Sequence, residues 1–199
     1  MTKSPDYSSE VRAFVSAQTR NIHEALHHNP ILERLTNPEI TACEYVTAIQ
    51  VLSSFYQAVE AERERLDTWD EFTLASECKA LSHDLTGQSK TYVTLLFKDR
   101  AALLGGLYVA HGASFGRAQF RKNLCANLPD APQSFVNQRT DKSTWRALTD
   151  RMEHYSQNTH HLASLLNGAK KSFQAVVDAT DVHATGTEAK YPPLVSPET

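Results

Sequence analysis

Apolar residues recur at spacings of three and four through most of this 199-residue chain, and alternation of period two is almost absent. That pattern restricts the fold to packed helices, because each helix must turn one apolar stripe inward. Val11, Phe14, Val15, Ile22 and Leu26 set a first helix that Asp6, Ser8 or Ser9 can cap, and Asn29-Pro30 ends it. Thr41-Ala-Cys-Glu44 reads as a capping box for a second helix running to about Leu66, with Tyr45, Ile49, Leu52, Phe55, Tyr56 and Val59 on one face. Its tail, Glu60-Ala-Glu62-Arg-Glu64-Arg65, reads as a solvated face with i,i+4 charge pairs. A short helix near Phe72–Leu81 and a turn at Thr86-Gly87 follow, and Asp99 can cap the next helix. The loop Pro129–Pro132 closes that segment. Asp141 or Ser143 opens a helix carrying Trp145, Leu148, Met152 and Tyr155, and the last helix spans about His160–Val177. The expected class is all-α: a single-domain helical bundle over 9–180, between flexible tails at 1–8 and 181–199.

Composition excludes several function classes. Twenty basic and twenty-three acidic residues leave a formal charge of −3, which offers no electrostatic case for nucleic acid or an anionic membrane. The first ten residues, MTKSPDYSSE, are polar, and no apolar run is long enough to span a bilayer. Cys43, Cys78 and Cys125 are odd in number and far apart, which suits reduced, packed thiols in a cytoplasmic protein.

Two stretches carry chemistry. Thr19–Pro30, TRNIHEALHHNP, holds three of the nine histidines on the first helix. A ring nitrogen on a helix face can ligate a metal or heme, and His23 sits one turn from both Thr19 and His27. His23-Glu-Ala-Leu-His27 is also a literal H-E-x-x-H, the zinc-hydrolase pattern, although that chemistry needs a third ligand. The second stretch contains Gly105, Gly106, Gly112 and Gly116 inside helical periodicity. Each costs about 1 kcal/mol relative to alanine in a helix interior. Gly112 and Gly116 lie four apart, presenting bare backbone on one face near Ser114, as a helix lying over a planar ligand requires; close helix packing is the alternative.

In combination these features resemble heme oxygenases. The likeness rests on Thr19-x-x-x-His23, on Phe55-Tyr56-Gln-Ala-Val-Glu60-Ala-Glu62, on Leu107-Tyr108-Val-x-x-Gly112-x-Ser114-x-Gly116 and on Ala169-Lys170-x-x-Phe173, in order over roughly 10–178. It is nearest to the bacterial, biliverdin-producing members associated with phytochromes. The resemblance implies that His23 is the proximal ligand to heme iron and that Gly112, Ala113, Ser114 and Gly116 lie on a distal helix kinked over the porphyrin. It further implies that Tyr56 supports distal water and that Lys170 pairs with a propionate. The implied reaction is opening of heme by its own bound dioxygen, giving a bilin, carbon monoxide and ferrous iron. Electrons would come from ferredoxin, flavodoxin or a reductase, since the chain has no nucleotide-binding glycine fingerprint. A bilin-accepting phytochrome is a further implied partner.

Three positions depart from the family pattern. Ala113 stands where many members carry an aspartate, Arg117 replaces the second glycine of a pair, and Ser16 replaces a basic residue seven positions before His23. Arg20 is a candidate substitute for that base, and Arg117 either turns away or reaches a propionate. These departures keep two other readings open: a non-catalytic heme- or bilin-binding protein of the same fold, and the zinc hydrolase. His111 reads as a structural residue, with a distal polar group or a second histidine ligand as the alternatives.

Overall fold

A computed structural model of the protein describes residues 10–86 and 93–185. The candidate caps of the first helix, Gly87, and the tails at 1–8 and 186–199 lie outside the described residues. Eight α-helices follow in order: α1 (Glu10–His27), α2 (Ala42–Arg65), α3 (Ala75–Asp84), α4 (Arg100–Ala113), α5 (Arg117–Asn127), the one-turn α6 (Ser134–Asn137), α7 (Lys142–Tyr155) and α8 (Thr159–Thr185). No strand occurs among the described residues, and no described helix is long and apolar enough to cross a membrane.

The expected caps form. The Thr41 hydroxyl accepts from Glu44 N–H while the Glu44 carboxylate accepts from Thr41 N–H, closing the box on α2. Asp99 accepts from Ala102 N–H at α4, and Asp141 accepts from the Ser143 and Thr144 hydroxyls and from their N–H groups at α7, which together hold the Asp141 carboxyl well below the usual range.

α8 is the spine of the bundle, and α4 packs on it more extensively than any other helix pair in the molecule. The approach is possible because of glycine. A methyl group at Gly105 would overlap the Leu165 carbonyl, and one at Gly168 would overlap the Ala102 carbonyl. One at Gly106 would press on the Phe97 ring. Close packing thus accounts for Gly105 and Gly106, two of the four glycines in the helical stretch, and for Gly168 on α8.

Three expectations need correction. The tail of α2 is not solvated: Glu60, Glu62 and Arg63 are buried. Glu60 accepts from Arg63, from the Thr73 hydroxyl and from Leu74 N–H, and Glu62 accepts from Arg65 and Phe97 N–H. The pairs are i,i+3, and their carboxylates fasten the loops after α2 and before α4. The last helix runs to Thr185, so 181–185 belong to α8 and not to a tail. Cys43 and Cys125 are exposed; only Cys78 is half-buried, and burial pushes its thiol up to about 12.

Candidate functional site

Helix α1 is lightly embedded: Val15 and Thr19 are its buried residues, and the Thr19 hydroxyl is spent on the Val15 carbonyl. His23 lies one turn beyond Thr19 and projects from the bundle. The edge of its ring meets Phe173 of α8 at 5.7 Å between centroids, and His27 stands perpendicular to it at 4.6 Å. Partial burial, then the neighbouring His27, lower the His23 pKa against the opposing pull of Glu24. The neutral imidazole, the form that ligates iron, is thereby favoured.

Ser16 lies two turns before His23 on the same side of α1, and its side chain bonds to the Tyr108 hydroxyl of α4. Arg12, one turn earlier still, acts electrostatically on the same phenol. The Tyr108 ring stacks on Trp145 of α7 at 5.5 Å and 28°, and Phe115 meets Trp145 edge-on at 5.2 Å. Arg12, Ser16, Tyr108 and Trp145 therefore bridge α1 to the segment that carries Gly112 and Gly116. Arg12 was legible in principle, being a helical turn from Ser16; the reach of Trp145 across from α7 has no local signal.

That segment is broken. Residues Ser114–Gly116 form a 3-10 turn between α4 and α5, and Ser114 N–H donates to the His111 carbonyl. In an unbroken α-helix Ser114 would satisfy Ala110. The Ala110 carbonyl accepts instead from the Tyr56 hydroxyl at 2.8 Å. Three further ties hold the break from behind. The His111 Nε2 donates to the Phe72 carbonyl at 3.0 Å, and the Thr140 hydroxyl donates to the Ser114 carbonyl at 2.9 Å. Arg117 donates to the Gln138 side chain at 2.8 Å, pairs with Glu77 at 3.6 Å, and lies over the Phe135 ring at 5.2 Å.

The structure thus brings together some of the expected residues and separates others. His23, Gly112, Ala113 and Gly116 occupy the two elements joined through Tyr108, and Ala113 is exposed there. Ser114 is buried. Tyr56 is fully buried, burial raises its phenol pKa, and its proton is committed to the Ala110 carbonyl just before the 3-10 turn. Arg117 is buried with its guanidinium among Glu77, Gln138 and Phe135, so it cannot reach a propionate from this position. Arg20 is exposed on the His23 side of α1. Lys170 lines a shallow groove with Gln18, Asn21 and Ile22, positions rotated by about 100° or more from His23 around α1. No third His, Cys, Asp or Glu completes a metal site with His23 and His27 among the described residues, which removes the donor set a zinc hydrolase needs.

The sequence matches no protein-family model and no curated protein. Among solved structures, the heme oxygenase of Neisseria meningitidis, crystallised in NO- and CO-bound forms, aligns with a TM-score of 0.68 over 94% of this chain and 98% of that one. The fold is that of a heme oxygenase. At 18% identity the likeness is one of architecture.

Within the heme oxygenase fold the remaining glycines stand out. A methyl group at Gly112 would lie 3.5 Å from the Trp145 ring, and one at Gly116 would lie 3.5 Å from Phe120, both ordinary contacts. Neither glycine has the left-handed backbone that excludes side chains. The protein's own packing therefore does not require glycine at either position. Bare backbone there lies beside the aromatic side chains of Tyr108, Phe115 and Trp145.

Proposed function

We propose that the protein is a heme-degrading monooxygenase that opens heme to biliverdin with release of carbon monoxide and ferrous iron. The observation that carries this reading is the pair Gly112 and Gly116, whose bare backbone answers no packing demand of the protein itself. When bound, heme supplies the iron that activates dioxygen and is itself the molecule opened. His23 acts as its axial ligand through a neutral imidazole. Arg12, Ser16 and Tyr108 form a polar end suited to a carboxylate, taking the role that the sequence assigns to Lys170, Arg20 or Arg117. The Gly112–Gly116 backbone lets the macrocycle approach the distal wall and excludes bulky groups from the oxygen side. Ala113 carries no carboxyl, so protons reach that wall through water. Electrons come from an external donor of the ferredoxin, flavodoxin or reductase kind, and a bilin product is available to an acceptor such as a phytochrome in the cytoplasm.

A non-catalytic heme or bilin carrier is the second reading, favoured by exposed Ala113 and by commitment of the Tyr56 hydroxyl to Ala110. Hemin titration followed by ascorbate or a ferredoxin reducing system under air separates the two. The enzyme gives a Soret band that decays into broad red bilin absorption and that His23→Ala fails to form properly. A Soret band stable to reduction identifies a carrier, and no Soret band refutes both.

A further inference from the structure

A buried arginine at the start of a helix is a poor choice for stability alone. Arg117 opens α5, where the helix dipole disfavours a cation, and it is only 2% exposed. The fold does not fully compensate the guanidinium. Its Nη1 donates to Gln138, Glu77 stands at 3.6 Å, and Nε is buried with no hydrogen-bond partner among the described residues. An apolar side chain of the same bulk would fill that space without the cost of desolvating a charge. What the charge adds is a fixed position.

That position is shared with the other side of the break. Phe135 lies under the Arg117 guanidinium at 5.2 Å and meets the Tyr56 ring edge-on at 5.4 Å, and the Tyr56 hydroxyl holds the Ala110 carbonyl. One ring thus backs both the tyrosine that holds the approach to the 3-10 turn and the arginine that leaves it. Phe135 is itself fixed. The buried Asp84 carboxylate accepts from Ser134 and Phe135 N–H, and Gln138 donates to the Ser76 carbonyl of α3. Burial raises the Tyr56 phenol pKa, and the next influences on it are Arg117, which lowers it, and Glu77, which raises it.

We infer that Glu77 and Arg117 are a positioning pair for the distal wall: Glu77 on α3 holds Arg117, Arg117 holds the backbone at Gly116, and the wall so placed selects which meso carbon of a bound heme is opened. Both residues act through the backbone of the turn. A wall without side chains at Gly112 and Gly116 shields whichever edge of a flat ring its backbone overlies, so the placing of that backbone decides the edge left open.

The choice of carbon rests on the heme reading; the positioning of the turn does not. The positioning is tested on the unliganded full chain. Ser114 and Arg117 N–H are bonded within the turn, so their hydrogen exchange reports its integrity. In Glu77→Gln both should exchange roughly tenfold faster or more, because a buried charge has lost its partner. In the double variant Glu77→Gln with Arg117→Met the denaturant midpoint should recover, since no unpaired charge remains, yet the Ser114 amide should stay fast. Parent-like exchange at Ser114 in either variant shows that the pair only fills space and overturns the positioning. Hemin turnover with ascorbate under air then tests the selection. Chromatography of the bilins should show the isomer ratio of the parent displaced in both variants at equal hemin occupancy. An unchanged ratio overturns selection by the pair. Failure of the parent chain to open hemin overturns the heme reading, while the exchange rates still decide the positioning.

Discussion

Two pairs of glycines, one in the middle of α4 and one at the break that ends it, meet opposite surroundings. Gly105 and Gly106 are pressed against α8 and Phe97, where a methyl group has nowhere to go. Gly112 and Gly116 face rings at ordinary distances, where a methyl group would be accommodated. Glycine in the first pair is demanded by the fold; glycine in the second is not, and on the proposed function it is the macrocycle that asks for it. A sequence motif cannot separate the two cases, since both read as glycines in a helix; the space around each Cβ position does.

The largest test of that contrast is Gly105→Ala. The new methyl meets backbone that cannot rotate away, so the variant should lose about 3 kcal/mol or more, visible as a lowered denaturant midpoint. Stability near that of the parent would show that α4 can slide on α8. Next comes Tyr56→Phe, which strands a buried carbonyl at Ala110 and should cost roughly 2 kcal/mol. Its second readout is the near-wall geometry: the altered turn should shift the spectrum of bound heme, whereas a merely structural tyrosine would lower stability alone. Gly112→Ala is the mirror image of Gly105→Ala. Its stability without ligand should rise by up to about 1 kcal/mol, while hemin affinity or turnover falls. A variant that gains stability and keeps full heme turnover would remove the main support for the heme reading.

The smallest effect is in pH. His23 is lowered from the ordinary histidine value, so its folded pKa lies below its unfolded one. The native state binds fewer protons than the unfolded chain in the interval between them. The small stabilisation this gives is present above about pH 6.5 and is lost as pH falls through the folded value. An NMR titration should place the His23 midpoint below 6.5, and His27→Ala should move it up by removing a repelling neighbour.

Local signals account for what was legible in the chain. Thr41, Asp99 and Asp141 each lie within three residues of the groups they cap, and they start helices where expected. The apolar stripe of α2 is equally local, and Tyr45, Ile49, Phe55, Tyr56 and Val59 are all buried as their spacing requires. Charge patterning misled at Glu60 and Glu62, because what buries them is backbone N–H at Leu74 and Phe97, far along the chain. The site shows the same division. His23 stands on the first helix, as its spacing required, whereas Gly116 falls in a 3-10 turn that the helical spacing did not announce. Arg117 and Tyr56 turn to the rear of the distal wall, since Gln138, Glu77 and Ala110 are partners that only tertiary packing supplies. The Trp145–Tyr108 stack was out of reach for the same reason.

The unequal anchoring of the two walls has a kinetic consequence. The distal turn is tied down at Ala110, His111, Ser114 and Arg117, whereas only Val15 and Thr19 of the eighteen residues in α1 are buried. On the proposed function, a macrocycle too wide to slip between closed walls would be admitted where local unfolding is cheapest. Amide protons of α1 should therefore exchange with solvent faster than those of residues 104–110, and added heme should slow the former while leaving the latter almost unchanged. On that reading α1 is the hinged jaw, and the broken helix is the anvil.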